Sequence, residues 1–251
     1  MRNKSILRLL PLFLLFFSCQ NINSNRTEMG IPSPIVYFSF DDGPNIHGNT
    51  TERLLDVLEK YQIKALFFLL GENVEQYPEM VRLIHGKGHH IANHGYSSKH
   101  AYKMSDEEFR NNLLMGEAAI SSALGFEIHH KLYRPHGGLY NSRQEKICID
   151  EGYIIVPVTV RVYDAIINAA GWRRIVNNTV NLIKMQGCGL ILLHDGRDSH
   201  SLIETRLKDY PNSSFDRSFI PDAVEKIIIA LLNSGFTLDS PDILAATGRF
   251  D

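Results

Sequence analysis

The chain predicts a single α/β domain whose parallel sheet curls into a distorted seven-stranded barrel. Two observations carry this. Short apolar, β-branched and aromatic runs alternate with longer segments of helical periodicity, the signature of βα units. Ionisable residues also recur just beyond those runs. In a parallel α/β architecture the C-terminal strand ends share one face, which is where catalytic groups are placed.

The elements follow in order. Strands are expected over 35–40, 65–70, 90–93, 131–134, 153–160, 189–193 and a short stretch near 236–238. Helices are expected over 50–60, 77–87, 105–124, 141–151, 172–186 and 220–234. Ser105-Asp106-Glu107-Glu108 reads as a helix start, with Ser at the cap and Glu three residues on. The segment 198–221 is longer and more polar than the other connections, a rim loop or a plain surface excursion.

Length and composition fit one soluble domain with a leader: 251 residues, 44% hydrophobic, 22% charged. A net charge of −2 gives no electrostatic case for nucleic acid. Residues 1–19 have an export pattern: Arg2, Lys4 and Arg8, an apolar run from Leu9 to Phe17 interrupted by Pro11, then Ser18-Cys19. The run is too short for a spanning helix. A small residue before Cys19 resembles a bacterial lipobox, although Phe16 and Phe17 depart from its usual preferences. The expectation is an exported, lipid-anchored envelope protein, with plain secretion as the alternative. Residues 20–33 are polar and tether-like, and 34–251 form the folded domain. Cys148 and Cys188 are expected as two buried free thiols, with a disulfide the alternative in an oxidising compartment.

The chemistry concentrates in a few places. Ser39-Phe40-Asp41-Asp42-Gly43-Pro44 sets two adjacent carboxylates at the end of a strand-like run. Adjacent strand residues point in different directions, so one carboxylate is free to hold a metal while the other faces a water. His94 follows Ile91-Ala92-Asn93, and Arg134 precedes Pro135-His136-Gly137-Gly138. Asp164 lies just past 153–160, and His194-Asp195 ends Gly189-Leu190-Ile191-Leu192-Leu193. In this order the motifs resemble the polysaccharide deacetylase family, also called the NodB homology domain or carbohydrate esterase family four, from about Pro34 to the C-terminus.

That resemblance implies a (β/α)7 barrel, a divalent metal (Zn²⁺ above others) and hydrolysis of N-acetyl groups on an envelope or extracellular polysaccharide. It implies Asp42 and His94 as metal ligands, Asp41 as general base, Arg134 as its partner, His194 as general acid and Asp164 as the carboxylate beside it. Gly137 would supply a backbone N–H to the oxyanion, and Leu192 and Leu193 would line a slot for the acetyl methyl. Zn²⁺ suits such a site because it lowers the pKa of a water and polarises a carbonyl.

The chain also departs from the family pattern. Position 98, where a second metal-binding His is usual, is Ser. His100 lies two residues further on and is the candidate replacement; the alternative is a two-ligand site completed by water. Gly137 stands where an aromatic residue is usual, and Ala165 where a Trp is usual. Trp172, the chain's one tryptophan, falls at an expected helix start, where packing is its simplest role. The competing functions are an esterase removing O-acetyl groups from a xylan-like polymer and a glycan-binding lipoprotein with weakened catalysis.

Overall fold

The computed structural model describes residues 34–167, 169–196 and 216–239. The export segment, the tether and most of the expected rim loop lie outside these residues. The elements are β1 (Ile35–Gly43), α1 (Thr50–Lys60), β2 (Leu66–Leu69), α2 (Gly71–Gln76), α3 (Pro78–Gly86), β3 (His90–Asn93), α4 (Asp106–Leu124), β4 (Leu132–Tyr133), α5 (Ser142–Asp150), β5 (Ile154–Ile155), β6 (Val160–Arg161), α6 (Trp172–Gln186), β7 (Gly189–His194), α7 (Ile220–Leu232) and β8 (Thr237–Leu238). The strands form one sheet in the order β5-β4-β3-β2-β1-β7-β6, with β8 paired to the start of β1. Every pairing recorded is parallel. β5 and β6 end the path on opposite edges, so the curled sheet is a distorted barrel with a seam between them.

The seam explains one difference from the sequence reading. A single strand was expected over 153–160, but two short strands flank Pro157. Proline has no N–H to give to a ladder, so it interrupts strand pairing. The chain leaves β4 at that point and rejoins the sheet beside β7, where Val160 pairs with Ile191 and Arg161 with Leu192. The short helix α2, directly after β2, is an element the periodicity did not announce. The expected cap at Ser105 is present as a reciprocal pair: Glu108 N–H donates to Ser105 Oγ at 3.2 Å, and Ser105 N–H donates to Glu108 Oε2 at 2.8 Å.

Strand alternation divides the core. Val36, Phe38 and Phe40 of β1, with Ile191 and Leu193 of β7, face outward into the layer built by α1, α6 and α7. Leu66, Phe68, Ala92 and Leu132 face inward as the barrel's apolar floor, with Leu190 packed against them. A third cluster under β4 holds Tyr133, Phe109 and Cys148. Cys148 is a free buried thiol, its pKa pushed up to about 12 chiefly by burial. Cys188 is only half-buried, so the expectation of two buried free thiols fails there. It lies at the α6–β7 turn and does not pair with Cys148. Trp172 packs partly buried against the outer core at the start of α6.

Candidate active site

The site is built at the C-terminal ends of the strands by one irregularity. Asp41 pairs with Phe68, and Gly43 with Leu69, leaving Asp42 as the extra residue of a bulge. A bulge re-aims a side chain. Asp42 takes φ 69, a left-handed conformation that Asp tolerates better than most residues. Both carboxylates therefore line the same pocket, where regular alternation would have sent them apart. The bulge is held from two sides. Asn73 Nδ2 donates to the Asp42 carbonyl at 2.7 Å, and Gly196 N–H donates to the Asp41 carbonyl at 3.3 Å. A Cβ on Gly196 would lie 1.8 Å from the Asp42 carbonyl oxygen, so that contact requires glycine.

The sheet register then fixes the partners. Asp41 lies beside His194 across β1 and β7. Asn93, just before His94, pairs with Tyr133, just before Arg134. Arg134 is buried, stacks over the Phe68 ring at 3.9 Å, and donates from Nη1 to Asp41 Oδ1 at 2.6 Å and to Ser39 Oγ at 3.0 Å. Burial lowers its pKa, against the pull of Asp41. A guanidinium held in this way fixes the orientation of Asp41.

On the opposite side, Asp164 is fully buried and receives His194 twice. The backbone N–H of His194 donates to Oδ2 at 2.8 Å, and Nδ1 lies 2.8 Å from Oδ1. Burial disfavours charge on His194, but Asp164, then Asp42 and Asp41, raise its pKa to about 9. Arg217, which the sequence reading missed, braces this corner by donating to the backbone carbonyls of Asp164 at 2.8 Å and Ala165 at 2.6 Å. Its signal was weak: one Arg among several charged residues inside the long polar connection.

Between the two halves lies a cluster that suits a cation. Asp42, His94 and His136, all buried, each offer an atom within 4.8 Å of the others. His94 Nδ1 lies 2.6 Å from the Arg134 carbonyl. A carbonyl only accepts, so Nδ1 carries a proton, and Nε2 is the nitrogen turned toward the cluster, 3.3 Å from Asp42 Oδ1. Fixing the ring through its other nitrogen in this way is typical of metal-binding histidines. His136 Nε2 lies 3.5 Å from the same Oδ1, a buried oxygen with no hydrogen-bond donor. Burial raises the pKa of Asp42, but the surrounding imidazoles outweigh it and hold the carboxyl well below its usual range. Conversely, Asp41 and Asp42 raise the pKa of His94 against the cost of burial. The pocket therefore favours positive charge at its centre, and one carboxylate with two imidazoles is a donor set that fits Zn²⁺.

Several residues land differently from expectation. His100 lines the pocket but is not a member of the three-residue cluster; His136 is. The sequence signal for His136 was present, a His two residues after Arg134, but only the β3–β4 register puts it next to His94. Leu192 lines the pocket, whereas Leu193 lies on the other face of β7 in the helical core, as strand alternation requires. Gly137 lines the pocket at φ 78. His89 is a core histidine: its Nδ1 accepts the Ala65 N–H at 3.2 Å, and burial lowers its pKa to about 4. Asp195 is a buried brace rather than a pocket group, accepting Thr51 Oγ1 at 2.6 Å, and burial pushes its pKa up to about 7. The cavity has a volume of about 350 Å³.

A curled parallel barrel carrying an Arg-braced carboxylate and an Asp-braced histidine on either side of an Asp-His-His cluster defines the class. The chain belongs to the polysaccharide deacetylase family, whose sequence profile matches residues 30–156. It is similar to peptidoglycan-N-acetylglucosamine deacetylases of Bacillus cereus. With one it shares 31% identity over 66% of this chain and 75% of the relative, and with another 36% over 51% and 46%. The chain thus spans about half the length of some of the curated relatives it matches. Among solved structures, it resembles a peptidoglycan N-acetylglucosamine deacetylase crystallised with an N-oxidanyl-benzamide: TM-score 0.66, 30% identity, covering 83% of this chain and 86% of that one.

Proposed function

We propose that the protein is a metal-dependent hydrolase that removes N-acetyl groups from an envelope or extracellular glycan of the peptidoglycan or chitin type. The observation that carries this reading is the opposition of two braced groups, Asp41 with Arg134 and His194 with Asp164, across one pocket. The relatives named as peptidoglycan and chitooligosaccharide deacetylases support the substrate class.

A divalent cation bound by Asp42 and its histidine neighbours would acidify a water and polarise the acetamide carbonyl. The rest falls to the protein. Asp41, its Oδ1 tied to Arg134, takes the proton of the attacking water as a C–O bond forms at the acetyl carbon. The turn carrying Gly137 lies beside the developing oxyanion, where a backbone N–H stabilises charge. His194 donates to Asp164 through Nδ1 and, when charged, delivers the Nε2 proton to the departing nitrogen. The C–N bond breaks, leaving acetate and a free amine on the sugar. Leu192 lines the pocket where the acetyl methyl would sit.

The test is acetate release from chitin oligomers, peptidoglycan and acetylxylan. Asp41→Asn and His194→Ala are each expected to lower turnover by roughly a hundredfold or more, as for positioned acid–base groups, with metal retained. Near-native turnover in either variant refutes its role. Release from acetylxylan alone would replace this reading with O-acetyl esterase. The chain also reads as an exported protein anchored through a lipidated Cys19, on the strength of the basic, apolar, Ser-Cys order.

A further inference from the structure

Building on the metal-dependent reading, we infer that the third metal ligand is His136, supplied by the turn after β4, and that His100, further along the loop after β3, serves the metal only by positioning that ligand. Four observations lead there. Asp42 Oδ1 is buried without a donor and faces two imidazole nitrogens, His94 Nε2 at 3.3 Å and His136 Nε2 at 3.5 Å. The two rings stand 5.3 Å apart at 64°, so their nitrogens approach one point from different directions. They come from neighbouring strands whose register is fixed by Asn93 and Tyr133. His100, the other imidazole on the loop after β3, is outside this convergence.

The two loops interlock. His100 lies against His136 with ring centroids 5.2 Å apart, and the following Ala101 N–H donates to the His136 carbonyl at 3.3 Å. A Cβ on Gly137 would lie 2.0 Å from His100 Nδ1, and Gly137 holds φ 78. Glycine at 137, histidine at 136 and histidine at 100 are therefore one linked arrangement: the missing side chain at 137 makes room for the ring that buttresses His136. His100 is a positioning residue and His136 the ligand.

The test uses the full chain, stripped of metal and titrated with Zn²⁺ or Co²⁺ alone, without substrate. Wild type is expected to bind one equivalent. His136→Ala is expected to lose at least about a hundredfold in affinity. His100→Ala is expected to keep one equivalent, weakened by about tenfold and with an altered Co²⁺ visible spectrum, in the range of lost outer-sphere support. His136→Cys covers the case in which His136→Ala fails to fold. Its Co²⁺ form should show a near-ultraviolet thiolate-to-metal band that wild type lacks, which arises only if position 136 coordinates. Wild-type affinity in His136→Ala, or Co²⁺ bound by His136→Cys without that band, overturns the inference. A protein that binds metal through His136 yet releases no acetate supports this inference while removing the deacetylase reading.

Discussion

Replacing Asp164 with Asn tests the acid half of the site most directly. Asp164 is the largest favourable influence on a charged His194, whose pKa stands at about 9 despite burial. Asn is isosteric but neutral, and its amide offers one acceptor where the carboxylate offered two, to the His194 backbone N–H and to Nδ1. With burial still opposing charge, His194 should titrate at or below its unperturbed ~6.5. At pH 8 the protonated fraction then falls from ~0.9 to ~0.03, a loss of about thirtyfold in competent acid. Stability should follow. A histidine raised above its unfolded value stabilises the fold fully below pH ~6.5 and loses that contribution as pH rises through about 9. The ~2.5-unit difference is worth about 3 kcal/mol, which Asp164→Asn should remove at pH 6. The assay is NMR titration of the His194 ring in metal-free protein, with urea unfolding at pH 6 and pH 9.5. A His194 pKa within about half a unit of wild type in Asp164→Asn would refute the reasoning.

Three further outcomes are expected. Arg134→Met should leave Asp41 buried without its cation; removing one partner of a buried pair costs about 3–5 kcal/mol, readable by denaturant unfolding, and turnover should fall with it. Leu193→Ala should cost about 2–5 kcal/mol as a core cavity with KM unchanged, whereas Leu192→Phe, on the pocket face, should raise KM with little loss of stability; the reverse pattern would mean β7 faces the other way. Cys19→Ser should move the protein from the membrane fraction to soluble or unprocessed fractions, and unchanged fractionation would favour simple secretion.

The sequence by itself determined the parallel βα architecture, because strands and helices write different periods into the chain. It also located Asp41, Asp42, His94, Arg134, Asp164 and His194, since each follows an apolar run and parallel strands end on one face. The capping box at Ser105 was legible because it is local. What needed the tertiary structure depends on register and on a single extra residue. The bulge at Asp42 turns two adjacent carboxylates into one pocket, and no local pattern announces it. His136 becomes a neighbour of His94 only through β3–β4 pairing, across a gap of some forty residues, whereas His100 is the nearer histidine in sequence. Leu192 and Leu193 are interchangeable in composition, and only the pleat of β7 decides that one meets the pocket and the other the helices. Pairing across space, rather than residue type, makes those choices.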